Sequence, residues 1–378
     1  MKKKIIILLL FSIQLSAQNK DPSPHFPKLK ISVPCNQEFL NNYRGKWLIP
    51  GNYLFNGPNN NNYSQGAMTR INDIHELVKH VYPQPMGSDG YWRAAYRKTD
   101  FGHTIKYATQ DGRTQMEYVK PNQVEGWGYS MILFAWMCSE NANEMWNGYP
   151  DGGGGNSITV EANNLQILNG DFMDDDGWTI DGRPIKRKMP VIGNWKGYVV
   201  MAVSGGYYAD QNSVWYILIT RNGMLPYIPV TRKQYLDRAI AYATKFYDKI
   251  IATNEHIPDK AERDETKNRN IKAKNDAIKK LLDELEKTTK DGLLDATAVV
   301  GTDPLVMNEG PIFLPEKDGG VMLTTENPNY FRKDLPGYIP QFFVLSWTRT
   351  GKQKWETDFR NSIEQNFPVE QLKAMIDK

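Results

Sequence analysis

The sequence predicts an α+β protein: a β-rich body of antiparallel sheets with a long charged helical hairpin inserted in the C-terminal half. Three observations carry that expectation. Between Tyr91 and Pro229, short runs of aromatic and β-branched residues alternate with turns rich in glycine and aspartate. At Thr231 a capping-box pattern, Thr231-Arg232-Lys233-Gln234, opens a stretch whose apolar residues recur at helical spacing. After Gly292 the strand patterns return.

Taken in order, Asp21 to Pro34 is Pro-rich and reads as an extended leader, and Asn56 to Gln65 as an exposed loop. Ile71, Ile74, Leu77, Val78 and Val81 mark a short amphipathic helix that stops before Pro83. Tyr91–Arg97, His103–Thr109 and Gln115–Val119 read as strands separated by Asp-Phe-Gly and Asp-Gly turns. Tyr129 to Cys138 is apolar on both alternating faces, the pattern of a central strand covered on both sides. Asp151 to Asn156, with four consecutive glycines, reads as a loop, and Ser157–Leu168 and Tyr198–Val203 as further strands. Ser213–Thr220 runs into Asn222-Gly223, a dipeptide suited to a hairpin turn.

Leu236, Ile240, Ala243, Phe246, Tyr247 and Ile250 then form one face of a first long helix. A second is expected from about Pro258 to Lys290; its first half, Asp259 to Asn270, is almost devoid of apolar residues and must be solvated or project from the body. Ala296–Val300, Val321–Thr325 and Phe342–Trp347 are strands, and two short helices close the chain, the second from Pro368. The organisation expected is 1–17 signal peptide, 18–34 leader, 35–230 β-rich domain, 231–292 hairpin and 293–378 an α+β segment packing with hairpin and sheet.

The front end predicts export. Lys2 to Lys4, an apolar stretch from Ile5 to Leu15 and the small pair Ser16-Ala17 follow the layout of a secretory signal peptide cleaved near Ala17. The expected location is periplasmic or secreted. The segment holds three lysines and no acid, so loss of it takes the formal charge of +3 to zero. A neutral chain lacks the basic face that nucleic acid requires, and no later apolar run approaches membrane-spanning length. In an oxidising compartment the two cysteines, Cys35 and Cys138, invite a disulfide. Closing a loop of about 100 residues contributes roughly 4–5 kcal/mol on loop-entropy grounds. The alternative is two separate thiols, with Cys138 buried in its strand.

His75 and His80 look like a zinc-protease helix only at first sight. Five residues apart, they stand about 140° from one another around a helix, and Lys79 occupies the position of the second ligand. They are expected to face solvent. The acidic run Asp171 to Gly177 fails the EF-hand pattern, since Phe172 and Arg183 fall where ligands belong. It leaves a nonstandard calcium site on Asp174, Asp175 and Asp176, or a solvated turn. No cofactor is otherwise implied: Ser204 lacks the nucleophile-elbow context, and neither a phosphate loop nor a dinucleotide fingerprint is present.

Aromatic residues make up 12% of the chain, and Trp127, Trp178 and Trp195 lie in turn-like contexts beside Gly, Asp or Asn, as in sugar-stacking platforms. The other reading is core packing. If the protein is a glycoside hydrolase, its carboxylates come from Glu125, Asp171 and Asp175.

The run from Asn222 to Leu236 resembles a segment of uncharacterised exported proteins of Bacteroidetes-type bacteria, in which a strand ending in proline feeds a long charged helix. The stretches Asn329-Tyr330-Phe331 to Leu335-Pro336 and Asn366-Phe367 are similar to the C-terminal part of such proteins. The resemblance covers about a fifth of the chain; it implies export and this architecture and carries no activity. The function expected is non-catalytic binding of a ligand or partner, a glycan or another envelope protein, with a carbohydrate-active hydrolase as the alternative.

Overall fold

The computed structural model describes residues 29–48, 64–97, 103–108, 114–119, 124–147, 156–165, 169–171, 178–202, 214–221, 223–301, 310–349, 351 and 353–378. Its elements run in the order β1 (Leu29–Lys30), α1 (Gln37–Asn42), β2 (Trp47–Leu48), α2 (Gln65–Val81), β3 (Ser88–Arg97), β4 (His103–Ala108), β5 (Thr114–Val119) and β6 (Gly126–Cys138). Then come β7 (Glu144–Asn147), β8 (Ser157–Ala162), β9 (Asn169–Asp171), β10 (Thr179–Ile180), β11 (Arg183–Pro184), β12 (Lys186–Lys188), β13 (Val191–Trp195), β14 (Tyr198–Met201), β15 (Val214–Thr220) and β16 (Tyr227–Pro229). The last part holds α3 (Arg232–Thr253), α4 (Lys260–Lys290), β17 (Val299–Val300), β18 (Val321–Glu326), β19 (Phe342–Thr348), α5 (Lys354–Asn366) and α6 (Val369–Lys373). This is an α+β fold with antiparallel sheets and a long helical pair.

Ten strands make the principal sheet, in the order β1-β7-β6-β8-β19-β15-β14-β13, with β3 beside β6 and β2 beside β3. Every pair is antiparallel except β2–β3. Strand β19, from the last tenth of the chain, lies between β8 and β15 at the sheet's centre. Its alternate residues Phe343, Leu345 and Trp347 join Trp127, Tyr129, Met131, Ile158 and Val160 on one face. The apolar stripe of α2 (Ala67, Ile71, Ile74, Val78) and residues of α5 and α6 (Phe359, Ile363, Leu372) cover that face. Each such side chain, fully buried, contributes about 1.5–3 kcal/mol.

A second core joins α3 and α4 to a five-stranded sheet of β9, β12, β16, β17 and β18. Tyr235, Leu236, Ala239, Tyr242 and Ala243 of α3 and Leu281 of α4 pack on Trp178, Val230, Ala298 and Leu323. The capping box forms: Thr231 Oγ1 accepts from the Gln234 amide at 3.2 Å, and Gln234 Oε1 accepts from the Thr231 amide at 2.9 Å. Beyond Ala243 the two helices hold chiefly to each other, through Lys274–Asp248 (2.5 Å), Lys267–Glu255 (3.0 Å) and Asn270–Asn254 (3.4 Å). Exposed pairs of this kind contribute little stability each.

Several expectations are corrected. The Asn-Gly turn does not make a hairpin with β15: Gly223 has φ +76°, but β15 pairs with β14 and β19, while β16 joins β18 in the other sheet. The strand expected over Ser157–Leu168 ends at Ala162, because Asn163 takes a left-handed φ of +54°. Leu29 and Lys30 of the expected leader form an edge strand paired with β7. The disulfide that the two cysteines invite does form: Cys35 and Cys138 are joined, which fastens this N-terminal segment to the end of β6. Among the described residues no helix is long and apolar enough to cross a membrane.

Candidate functional site

The face of the principal sheet opposite α2, α5 and α6 has a different character. Partners across strands share a face, so the registers Arg93↔Ser130, Ser130↔Thr159, Thr159↔Ser346 and Ser346↔Tyr216 lay one lane of polar side chains across five strands. At about 4.8 Å per strand the lane is about 19 Å long. Thr159 Oγ1 donates to Ser130 Oγ at 3.5 Å, and one row further along Ser157 and Thr348 share a hydroxyl pair at 3.0 Å. Hydroxyls at these positions are what an otherwise apolar strand would not choose. Ser130 and Ser346 are themselves buried, and on the same face Phe342 and Val344 join Tyr330 and Phe331 in a third core, so the partly exposed members of the lane are Arg93, Thr159 and Tyr216.

Glu161 sits in the adjacent row and is completely enclosed, at 0% exposure. Its cross-strand neighbours are Val344 and Gly128, so β6 places no side chain beside the carboxylate. Oε2 accepts from Asn164 Nδ2. Asn163 fixes the end of this strand: its Nδ2 donates to the carbonyls of Glu125 (3.2 Å) and Ile339 (3.0 Å), and its Oδ1 accepts from the Gln341 amide at 2.8 Å. Burial raises the Tyr216 phenol above its ordinary value, and the Glu161 charge adds to the rise. Tyr216 therefore stays a neutral donor-acceptor at the end of the lane. Guanidinium, phenol and hydroxyl groups along one lane suit a ligand offering many hydrogen-bonding groups.

The positions singled out in the sequence fall elsewhere. Trp127 is fully buried within β6, on the helix-covered face, with Nε1 donating to the Tyr338 carbonyl at 2.8 Å. Trp178 is buried in the second core against Tyr235 and Tyr242. Neither ring is an exposed platform; both are packing residues. Trp195 closes β13 ahead of a turn at Lys196-Gly197, half-buried against Trp347, with Nε1 donating to the Glu364 carbonyl at 2.9 Å. Glu125 follows the parity of Trp127 and its Oε1 accepts from the Ser64 amide at 3.2 Å, at the start of α2. Asp171 lies in β9 opposite Lys186, while Asp174, Asp175 and Asp176 lie outside the described residues. No group of three or more His, Cys, Asp or Glu is placed to hold a metal among the described residues.

His75 is corrected as well. It is 8% exposed rather than solvent-facing, shares a 3.2 Å hydrogen bond between Nδ1 and the Tyr129 hydroxyl, and stacks on Trp92 with centroids 4.4 Å apart. Burial lowers its basicity. Sequence reasoning missed Glu161 altogether. The available signal was a set of lone hydroxyls, Ser130 and Ser346, breaking otherwise apolar strands, together with a carboxylate at an alternating position of β8.

Comparisons with protein-family models, with curated proteins and with solved structures give no match to this chain.

Proposed function

We propose that this protein is an exported binding protein whose ligand is a saccharide, held on the polar lane of the principal sheet through its partly exposed members Arg93, Thr159 and Tyr216. The observation that carries the reading is the lane itself: Arg93, Ser130, Thr159, Ser346 and Tyr216 in register across five strands. A guanidinium binds hydroxyls through charge-assisted hydrogen bonds, and threonine and tyrosine hydroxyls can donate or accept. Export accords with the lysine-rich, apolar front end and with the disulfide, a bond that persists in oxidising compartments.

Binding is favoured over hydrolysis by carboxylate spacing. Glycosidases pair two carboxyl groups about 5–10 Å apart. Asp89 shares the face of Glu161, but their partners on β6 are Phe134 and Gly128, about 20 Å apart along the strand. Glu125 points to the other face. A glycan array with a parallel reducing-sugar assay tests the reading. Saturable binding without release of reducing ends is expected; turnover would replace binding with catalysis, and silence across the array would remove the saccharide.

A further inference from the structure

We infer a second site, for a carboxylate-bearing ligand, where the chain leaves β19 at Arg349. Three indoles stand together there. Trp347 is buried, with Trp195 at 4.8 Å and Trp215 at 5.8 Å between ring centroids. Each outer ring carries a cation: Lys196 Nζ lies 5.0 Å from the Trp195 centroid, and the Arg349 guanidinium 3.6 Å from that of Trp215. Lys196 is engaged by the carbonyls of Gln365 and Phe367 at the C-terminal end of α5.

Arg349 is held differently. Its Nε donates to Glu364 Oε1 at 2.7 Å, and the same oxygen accepts from Trp347 Nε1 at 3.1 Å. Contact with the Trp215 ring and this single ion pair fix the guanidinium from one face and one edge. The opposite edge, the fork of two terminal amino groups, has no hydrogen-bond partner among the described residues. The side chain is 30% exposed. Trp215 Nε1, in the ring beneath, is enclosed and meets no acceptor among the described residues. Arg360 stands alongside, donating from Nη1 to the Arg349 carbonyl at 2.8 Å. The two guanidinium groups outweigh Glu364 by one positive charge, in partly buried surroundings where charges are weakly screened.

A planar fork fixed in advance matches the two coplanar oxygens of a carboxylate through parallel N–H···O bonds, which a lysine cannot reproduce. Trp347 and Ser346 point to opposite faces of the sheet, so this site is separate from the polar lane. The occupant it fits is a small acidic ligand such as a uronic acid.

Calorimetric titration of the full chain with glucuronate tests this, with glucose, sulfate and phosphate as comparison ligands. Glucuronate should bind saturably at one site, and Arg349→Lys should weaken it about tenfold with the charge retained. Melting curves establish that the variant is folded; should it not be, Arg360→Gln takes its place, with a weakening of about threefold expected from loss of one nearby charge. Absence of saturable glucuronate binding, unchanged affinity in a folded Arg349→Lys, equal binding of glucose, or tighter binding of sulfate or phosphate would each overturn the assignment.

Discussion

Opening the Cys35–Cys138 bond is a perturbation whose size can be worked out in advance. The bond spans 103 residues and ties β1 and α1 to the end of β6. Cross-linking a loop of that length removes about 16 cal/mol/K from the unfolded chain, or roughly 4.7 kcal/mol at 25 °C. A protein of this size has an unfolding entropy near 0.8 kcal/mol/K, so the melting temperature should fall by about 6 °C. Without the bond the segment is held by two β1–β7 residue pairs and by the amides of Ile31 and Cys35 bonding to Asn143 and Ala142. Scanning calorimetry of the oxidised protein and of the Cys35→Ser/Cys138→Ser variant measures the drop. Hydrogen exchange over Leu29 to Asn42 tells whether the segment frays first. A melting temperature unchanged within about 1 °C would refute the loop-entropy reasoning, and free thiols in protein taken from the periplasm would contradict an oxidising compartment.

Three further outcomes follow from single residues. His75 is buried and its pKa lies below its ordinary 6.5, through burial first, with Lys79 adding to the depression and Glu76 opposing it. The unfolded chain therefore takes up a proton that the fold resists: stability is full above about pH 6.5 and declines below it, by at most about 1.4 kcal/mol per pH unit. Denaturant melts from pH 7 to 5 on wild type and His75→Gln check this, and an NMR titration placing His75 at or above 6.5 would contradict it. Trp127→Ala should lose about 3–5 kcal/mol of stability, read from urea midpoints; full stability with lost saccharide binding would return Trp127 to the role of a platform. Asn163→Ala removes three hydrogen bonds and strands buried backbone groups, costing about 3 kcal/mol or more, whereas a urea midpoint matching wild type would show the end of β8 held by other contacts.

What was legible in the sequence was local. The Thr231 capping box, the stripe of α2 and the end of α4 at Gly292, whose φ of +68° suits glycine, depend on residues within a turn or two of each other. The charged face of α4 was readable for the same reason. Strand partners were not. β19 pairs with strands far upstream on both sides, and nothing within Phe342–Thr348 names β8 or β15. Asn222-Gly223 carries a turn signal, but the next strand found its partner in another sheet. Trp127 between two glycines imitates a loop; within β6 those glycines fall on the opposite face, and one of them leaves the room beside Glu161. The site was hidden because its members come from five strands and share only their register.

The most direct test of a ligand held on the sheet face is the affinity ratio between wild type and Arg93→Gln for a saccharide that binds. The amide keeps a donor and removes the charge, so a charge-assisted hydrogen bond worth about 1.5–3 kcal/mol is lost and binding should weaken about ten- to hundredfold, with the circular dichroism spectrum unchanged. Equal affinity in a folded Arg93→Gln protein would contradict a ligand site on this lane.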